Sequence, residues 1–428
     1  MISLGLAAYR GAATLAGAAS PLLRGFGGRE SAWRSAFTGG SADVAAAAGS
    51  VWIHAASMGE VVAARTWVTT LLAAGQRPPL LLTTRTTRGL ARARRELGDQ
   101  VVARVAPLDL PQLLRSFLKA AAPWRLDIIE TEIWPHLIQE SRRHNVAVVF
   151  VSASVTDRTS ARLRRWGFSG PGLFGQGVWV LAQSERHAER FRSLGVPPAR
   201  IAVTGDLKSE PPTGGASRDP AARRAVVFGS LRPGEEAVAL ALARNLNRDG
   251  ARTLIVAPRH RDGLERVVAA FKAAGVPVSL RREEERQGEA LPEWIAGLSA
   301  AGPPSVGILA TQGELPLAYE SAAAAIVGGT FAPYGGHNAM EPAARGCAVV
   351  VGPHATEIRD SVESLAREHA VLSLGEDAGA GYASAIAALL QSHEALRSMG
   401  QGAVRAAAAA SQSARRSLEA LERFGLTP

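Results

Sequence analysis

Residues 51–74 read VWIHAASMGEVVAARTWVTTLLAA, and this stretch decides the fold. Residues 51–54 predict a strand, residues 61–74 predict a helix, and a polar loop with glycine and glutamate joins the two. The strand carries no alternation of apolar and polar residues, which is typical of a parallel sheet covered on both faces. The stretch therefore predicts one strand–loop–helix unit of an α/β protein.

Short apolar runs of the same kind recur along most of the chain. The predicted strands are residues 51–54, 80–84, 101–106, 126–130, 146–152, 178–182 and 201–204, then 225–229, 253–257, 307–310, 324–327, 348–352 and 370–374. Between the two series, residues 210–219 read EPPTGGASRD, and this proline, glycine and serine indicate an interdomain linker. We therefore expect two Rossmann-like α/β domains whose ligand-binding strand ends face each other across a cleft.

The predicted boundaries divide the chain into four parts. The parts are an amino-terminal helix with its connector (1–35), an acceptor-binding domain (36–210), a linker (211–223) and a nucleotide-binding domain with a carboxy-terminal helix (224–428). Residues 1–23 are apolar but contain Arg10, whereas a spanning helix needs about 20 predominantly apolar residues. The first eight residues carry no positive charge, unlike a secretory signal. We favour an interfacial, membrane-associated helix; a helix packed on its own domain and a true span stay open.

The charge of the chain is basic, with 48 lysines and arginines against 38 acidic residues, which gives +10. Only three of the basic residues are lysines, and the arginines are dispersed along the chain. Few aromatic residues and no long basic block argue against nucleic-acid binding, although a noncatalytic nucleic-acid or membrane-scaffolding protein stays an alternative. A single cysteine, Cys347, excludes a disulfide framework and a cysteine-based metal site.

Polar residues follow several strands of the first domain. Glu60 begins the predicted helix, where free N–H groups would lower its pKa unless burial opposes them. Glu130 and Glu132 close another strand, and strand alternation would point them the same way. Lys208 follows the last strand, where an ammonium indicates a phosphate or carboxylate contact. Taken alone, Glu60 could be an ordinary helix-start residue, and Lys208 could be an incidental surface lysine. Because the polar clusters after several strands converge on one crevice, a catalytic role for these residues is favoured.

Three loops of the second domain have the composition of a nucleotide site. Residues 256–262 read VAPRHRD, and Arg259 could hold phosphate through paired N–H bonds. Residues 311–315 read TQGEL, whose glycine allows close approach to a base or ribose. Residues 326–344 run from a glycine-rich loop into a helix start suited to phosphate, where Glu341 could hold ribose hydroxyls. A nucleotide-binding domain facing an acceptor domain with a base predicts a glycosyltransferase of the two-Rossmann-domain type.

Six motifs in this order resemble the 3-deoxy-D-manno-octulosonic acid (Kdo) transferases of lipopolysaccharide assembly. The motifs are WIHAASMGE, DIIETEIWPHLI, TGDLK, APRH, GELPLAY and VGGTFAPYGGHNAMEPAA. The resemblance implies an α/β GT-B fold, CMP-Kdo as donor and the tetraacyl disaccharide lipid IVA as acceptor. It further implies an inverting transfer without metal or cofactor, at the phospholipid surface of the cytoplasmic face of the inner membrane.

The resemblance also assigns residues. Glu60 resembles the general base of the family, and Glu130 and Lys208 resemble the residues that stabilise the transition state. The implied CMP contacts are Pro258, Arg259, Gln312, Gly313, Glu314, Asn338, Ala339, Met340 and Glu341.

Three positions depart from the family pattern. Ser154 stands where an arginine is usual, Asp206 where an asparagine is usual, and Ala310 where an aspartate is common. These departures leave the acceptor details and the number of Kdo residues open. Another GT-B transferase, or a sugar-nucleotide epimerase that uses a UDP-sugar, stays the alternative function.

Overall fold

The computed structural model describes residues 44–75, 79–208, 219–249, 252–284, 288–300, 306–376 and 381–427. The predicted amino-terminal helix (1–35) and most of the predicted linker (211–223) lie outside these residues. The chain forms two compact units, of which unit 1 comprises Met1–Lys208 with Gln412–Pro428 and unit 2 comprises Ser209–Ser411. In the described part of the chain, no helix is long and apolar enough to cross a bilayer.

Unit 1 contains a parallel sheet that has, within its described residues, seven strands in the order β3-β2-β1-β4-β5-β6-β7. The strands are β1 (Val51–His54), β2 (Leu80–Thr84), β3 (Val102–Val105), β4 (Arg125–Ile129), β5 (Ala147–Ala153), β6 (Val178–Ala182) and β7 (Ile201–Val203). The helices that precede the linker are α1 (Met58–Ala73), α2 (Thr87–Leu97), α3 (Pro111–Ala121), α4 (Pro135–Arg143), α5 (Asp157–Arg165), α6 (Pro171–Phe174) and α7 (Glu185–Ser193).

Both faces of this sheet are covered, as the continuously apolar strands predicted. Trp52 and Ile53 are neighbours on β1, yet they belong to different cores. Trp52 packs with Phe117 of α3, their ring centroids 4.6 Å apart, whereas Ile53 shares its core with Trp67 of α1. Helices α3, α4 and α7 therefore lie on one face, and α1 and α2 on the other.

Unit 2 repeats this architecture. Its described strands form a parallel sheet in the order β10-β11-β9-β8-β12-β13-β14. The strands are β8 (Ala225–Leu231), β9 (Thr253–Pro258), β10 (Val278–Arg281), β11 (Val306–Leu309), β12 (Ala322–Val327), β13 (Ala348–Val351) and β14 (Val371–Ser373). The helices are α8 (Glu236–Asp249), α9 (Arg261–Ala273), α10 (Leu291–Ala300), α11 (Leu315–Glu320), α12 (Met340–Ala343), α13 (Arg359–Arg367), α14 (Tyr382–Gln391) and α15 (His393–Ser411). The two parallel α/β sheets expected from the sequence are thus confirmed.

The last helix, α16 (Ser413–Arg423), belongs to unit 1, whereas the sequence analysis placed it in the second domain. Leu421 is fully buried in the core that holds α1. Arg416 Nε donates to the carbonyl oxygen of Thr204 at 2.9 Å, so the helix also contacts the loop after β7. The composition of the helix predicted its existence, but an alanine-rich apolar face fits either sheet.

Candidate active site

The three predicted catalytic residues lie together at the carboxyl edge of the sheet in unit 1. Strands β1 and β4 are neighbours where the strand order reverses, and ligands of doubly wound sheets bind outside the strand ends at such a point. Glu60 follows β1 and Glu130 follows β4. The loop after β7 brings Lys208 into contact with Glu130. The structure therefore places one lysine and two carboxylates where a ligand site is expected.

A reciprocal hydrogen-bond pattern at the start of α1 fixes the carboxylate of Glu60. Ser57 is the N-cap residue, and its Oγ accepts from the backbone N of Glu60 at 3.3 Å. In return Ser57 Oγ donates to Glu60 Oε1 at 3.0 Å, and the backbone N of Ala56 donates to Oε2 at 2.6 Å. The pattern resembles a capping box, which a sequence encodes as serine followed three residues later by glutamate, but Glu60 accepts from the backbone N of Ala56 and not from that of the N-cap residue.

The environment of Glu60 favours its protonated form. Burial raises the pKa of Glu60 to about 7, and the charges of Glu132 and Glu130 act in the same direction. The helix start and the two hydrogen bonds oppose this rise but do not cancel it. Burial, which was the stated exception to a lowered pKa at this helix start, therefore outweighs the helix together with the like charges.

Glu130 leaves the strand in a left-handed conformation. Strand β4 ends at Ile129, and Glu130 has φ +61°, which costs a non-glycine residue about 1–3 kcal/mol. The predicted strand alternation therefore does not extend to Glu130 and Glu132. Burial raises the pKa of Glu130, and the ion pair with Lys208 acts against this rise. Strained, half-buried charge of this kind is typical of functional sites.

A buried network holds the loop that carries Lys208. Ser152, fully buried near the end of β5, donates from Oγ to Asp206 Oδ1 at 3.1 Å and accepts from the backbone N of Leu207 at 3.1 Å. The backbone N of Lys208 donates to the same oxygen of Asp206 at 3.0 Å. Burial works against the charge of Lys208, but the surrounding carboxylates, first of all Glu130, outweigh it and raise its pKa. Lys208 is therefore a fixed cation.

Further polar residues lie beside this site, and two of them, Arg85 and Asp109, were missed from the sequence. His54 Nδ1 lies 2.9 Å from Thr83 Oγ1, and burial, aided by the charge of Arg85, lowers the pKa of His54 to about 4. The guanidinium of Arg85 stacks over the ring of Trp134, 4.1 Å from its centroid. Asp109 accepts from the first backbone N–H groups of α4. His54, Arg85, Asp109 and Trp134 line a small pocket. Arg85 directly follows β2, and this position is the sequence feature by which it could have been recognised.

In unit 2, basic residues meet beside the switch point between β8 and β12. Strand β9 ends at Pro258, so Arg259 is the first residue beyond it, and its side chain is exposed. Arg232, missed from the sequence, follows β8, and its Nη1 lies 2.7 Å from His260 Nε2. Burial lowers the pKa of His337 to about 4, and the charges of Arg259 and Arg232 add to this effect. Two arginines and neutral histidine thus form an anion-binding surface.

Glu235, also missed from the sequence, ties two of these loops together. Its fully buried Oε2 accepts from the backbone N of Arg232 at 2.8 Å and of Gly329 at 2.9 Å. Its Oε1 accepts from the backbone N of Phe331 at 2.9 Å. Burial raises the pKa of Glu235, and these N–H groups compensate part of the cost. The glycine-rich loop is therefore held by a buried carboxylate from the loop after β8.

The side chain of Glu314 is engaged within the protein. Its oxygens accept from Arg281 Nε at 2.9 Å and Nη2 at 3.0 Å, and the pair is almost completely buried. Thr311 Oγ1 donates to Glu314 Oε2 at 2.7 Å. The groups of the loop 311–315 that can contact a ligand are therefore its backbone and the exposed residues Gln312 and Gly313.

Backbone N–H groups at the predicted helix start, residues 338–341, are also hydrogen-bonded within the protein. Asn338 Oδ1 accepts from the backbone N of Met340 at 2.9 Å and of Glu341 at 3.3 Å. Ala339 and Met340 are buried, whereas Asn338 is exposed and Glu341 half-buried. The N–H groups that the sequence analysis assigned to phosphate are thus bonded to the side chain of Asn338.

Comparison with known proteins finds related transferases. The family model described as "3-Deoxy-D-manno-octulosonic-acid transferase (kdotransferase)" matches residues 31–210. The chain is 31% identical over 392 residues to the 3-deoxy-D-manno-octulosonic acid transferase of Bordetella pertussis, covering 87% of this chain and 86% of that one. The corresponding enzyme of Haemophilus influenzae is 28% identical over 360 residues, covering 82% and 81%.

Solved structures share the fold at low identity. The chain matches a putative UDP-N-acetylglucosamine 2-epimerase from Listeria monocytogenes with a TM-score of 0.62 and 12% identity, covering 89% of this chain and 98% of that one. It matches a glycosyltransferase from Rickettsia africae with a TM-score of 0.58 and 11% identity, covering 88% and 99%. These likenesses concern the fold alone.

The two Rossmann-like units have the fold of GT-B-like glycosyltransferases. The chain belongs to the 3-deoxy-D-manno-octulosonic acid transferase family. This confirms the family resemblance of the six motifs.

Proposed function

We propose that this chain transfers Kdo from CMP-Kdo to lipid IVA in lipopolysaccharide assembly, with inversion and with Glu60 as general base. Membership of the Kdo transferase family supports Kdo as the transferred sugar. The observation that carries the catalytic assignment is the position of Glu60, held by Ser57 and Ala56 at the switch point of unit 1, where burial raises its pKa to about 7. A base with a pKa near the working pH combines a large ionised fraction with a real affinity for the proton.

In the proposed reaction, Glu60 takes the proton of an acceptor hydroxyl while that oxygen attacks the anomeric carbon of Kdo and CMP leaves. Ser57 and the backbone N of Ala56 keep the carboxylate in one orientation. Lys208 supplies a fixed positive charge for the negative charge that develops on the departing phosphate. Glu130 holds Lys208 and offers a carboxylate to the cation-like anomeric carbon.

Unit 2 is proposed to bind the nucleotide. Arg259 and Arg232 flank His337, which is neutral at physiological pH because its pKa is about 4. This surface fits the phosphate of CMP, since guanidinium groups bind phosphate through paired N–H bonds. The exposed Asn338 and the half-buried Glu341, at the start of α12, are proposed to contact ribose hydroxyls or the base.

The proposed site of action is the cytoplasmic face of the inner membrane, because lipid IVA is a lipid and its phosphates are anionic. The net charge of +10 suits such a surface. The predicted interfacial helix lies within residues 1–35. Fractionation of a variant without residues 1–28 tests its contribution: release from membranes supports an anchor, and unchanged association contradicts it.

A transfer assay tests the proposed activity. Full-length enzyme with radiolabelled CMP-Kdo and lipid IVA should yield labelled lipid, and folded enzyme that forms no product would refute the proposal. The alternative, a UDP-sugar transferase or epimerase, is separated by a nucleotide panel. Preference for CMP supports Kdo transfer, whereas tight preference for UDP supports the alternative.

A further inference from the structure

Helix α5 of unit 1 exposes a cationic face that the catalytic site does not use. Its exposed arginines and the tryptophan that follows it are here called the α5 face: Arg158, Arg162, Arg164, Arg165 and Trp166. Three of the arginines are spaced i, i+4 and i+7, so they form one stripe along the helix. Ser160, which is buried, and Leu163, which packs against the core, occupy the inner side.

No carboxylate neutralises this face among the residues that the structure describes. Asp157, at the start of α5, and two glutamates of α7 are paired with other arginines. Asp157 binds Arg190 at 2.6 Å, and Glu185 and Glu189 both bind Arg192 at 2.5 Å. The α5 face therefore presents concentrated positive charge, whereas these three carboxylates are engaged by arginines of α7.

Trp166 distinguishes this face from an ordinary solvated arginine surface. Its side chain is 59% exposed, and it lies one helical turn beyond Arg162. Tryptophan beside arginine is typical of surfaces at the lipid–water boundary, where the indole ring enters the head-group region and guanidinium groups bind lipid phosphates. Nucleic acid would also attract the charge, but single-strand binding surfaces carry several stacking aromatics, and here there is one.

We propose that the α5 face docks unit 1 on the surface of an anionic phospholipid bilayer. The position suits a lipid-linked acceptor, since α5 follows β5 at the sheet edge that carries Glu130. Thr131 Oγ1 lies 3.0 Å from Ser154 Oγ, so the loop before α5 is bonded to the loop that holds Glu130. The contact is additional to the amino-terminal segment, and docking itself does not depend on Kdo transfer.

A site-specific label tests the contact in the full chain. The single cysteine, Cys347, is fully buried, so a cysteine introduced at the exposed Ala161 of α5 can be labelled selectively with an environment-sensitive fluorophore. The control label is Thr69→Cys, at an exposed position of α1 on the opposite face of the sheet. Vesicles that contain phosphatidylglycerol should raise and blue-shift the fluorescence of the label at 161, but leave the label at 69 unchanged. Phosphatidylcholine vesicles should have little effect.

A charge-matched pair of variants tests the arginines themselves. Arg162→Gln with Arg165→Gln should weaken partitioning onto phosphatidylglycerol vesicles roughly 25-fold, since each arginine near an anionic surface contributes about fivefold. Arg88→Gln with Arg94→Gln removes the same charge from exposed positions of α2, on the opposite face of the sheet. This control pair should change partitioning onto the vesicles little. Added salt should reduce the difference between the pairs.

Several outcomes would overturn the proposal. Equal responses of the two labels, or equal losses in the two paired variants, would show that attraction follows net charge and not the α5 face. A response at residue 161 that is stronger with a random oligonucleotide than with anionic vesicles would assign the face to nucleic acid. A response that rises with protein concentration in the absence of vesicles would assign it to self-association. These measurements contain no sugar nucleotide, so they remain decisive even if Kdo transfer fails.

Discussion

The raised pKa of Glu60 predicts a specific pH dependence of transfer. With a pKa of about 7, Glu60 is about one-eleventh ionised at pH 6 and ten-elevenths ionised at pH 8. Because the base acts only when ionised, kcat/KM should rise about tenfold between these values. A carboxyl at its usual pKa of 4.5 would be ionised throughout, and the profile would be flat.

The decisive perturbation is Glu132→Gln, because the charge of Glu132 is the largest neighbouring contribution to the pKa of Glu60. Its removal should lower this pKa and move the rising limb to lower pH. The control is Glu189→Gln, an exposed glutamate of α7, which should leave the limb unchanged. Phosphates of the acceptor also titrate near pH 6, but a limb that they cause would not move with Glu132. A flat profile, or a limb that Glu132→Gln leaves in place, would refute the reasoning.

The same pKa shift predicts a stability effect. The folded pKa of Glu60 lies above its unfolded value of 4.5, so the native state binds the proton more tightly than the unfolded state. Stability is therefore lost as the pH rises between about 4.5 and 7, by about 3 kcal/mol at most. Glu60→Gln should then be no less stable than wild type at pH 8, while losing about 10²- to 10⁴-fold in turnover. Marked destabilisation at pH 8, measured by urea unfolding, would contradict this balance.

Further predictions concern the ion pairs and the carboxy-terminal helix. Lys208→Met should lower both stability and turnover because it leaves the carboxylate of Glu130 buried without its cation. Adding Glu130→Gln should recover stability, measured by urea unfolding, but not activity; recovered activity would disprove the proposed role of Lys208. Glu314→Gln should lower the free energy of unfolding by about 3–5 kcal/mol, since it breaks the buried ion pair with Arg281. It should also lower CMP affinity, measured by calorimetry, because this pair lies beneath the loop of residues 311–315. An unchanged melting temperature would show that the pair does not stabilise the structure. Leu421→Ala should destabilise unit 1 by about 2–5 kcal/mol, whereas the partly exposed Leu72→Ala should cost much less.

The fold was predictable from the sequence where burial is complete. Strands covered on both faces read as continuous apolar runs, which is why β1, β4, β5 and β8 were found. Strand β10 (Val278–Arg281) was missed because it lies at the sheet edge, where three of its four residues are only half-buried and no apolar run forms. A local sequence pattern also could not predict which of the two sheets α16 packs against, because its alanine-rich face fits either one.

The site was predictable as a set of loops but not in its side-chain contacts. Glu60 and Lys208 were recognisable because polar residues after parallel strands converge. The partner of Glu314 was not, since Arg281 lies 33 residues earlier on the missed strand β10. The cap that Asn338 forms and the left-handed turn at Glu130 are decided by local geometry. The raised pKa of Glu60 depends on burial, which a single sequence does not state.

Mass spectrometry of the lipid product tests the central claim most directly. Wild-type enzyme, incubated with CMP-Kdo and lipid IVA, should convert the acceptor to species heavier by whole Kdo residues. Glu60→Gln should bind CMP with wild-type affinity and form such species about 10²- to 10⁴-fold more slowly. Absence of any Kdo adduct with folded wild-type enzyme, or undiminished conversion by Glu60→Gln, would contradict the claim that this chain is a Kdo transferase with Glu60 as its base.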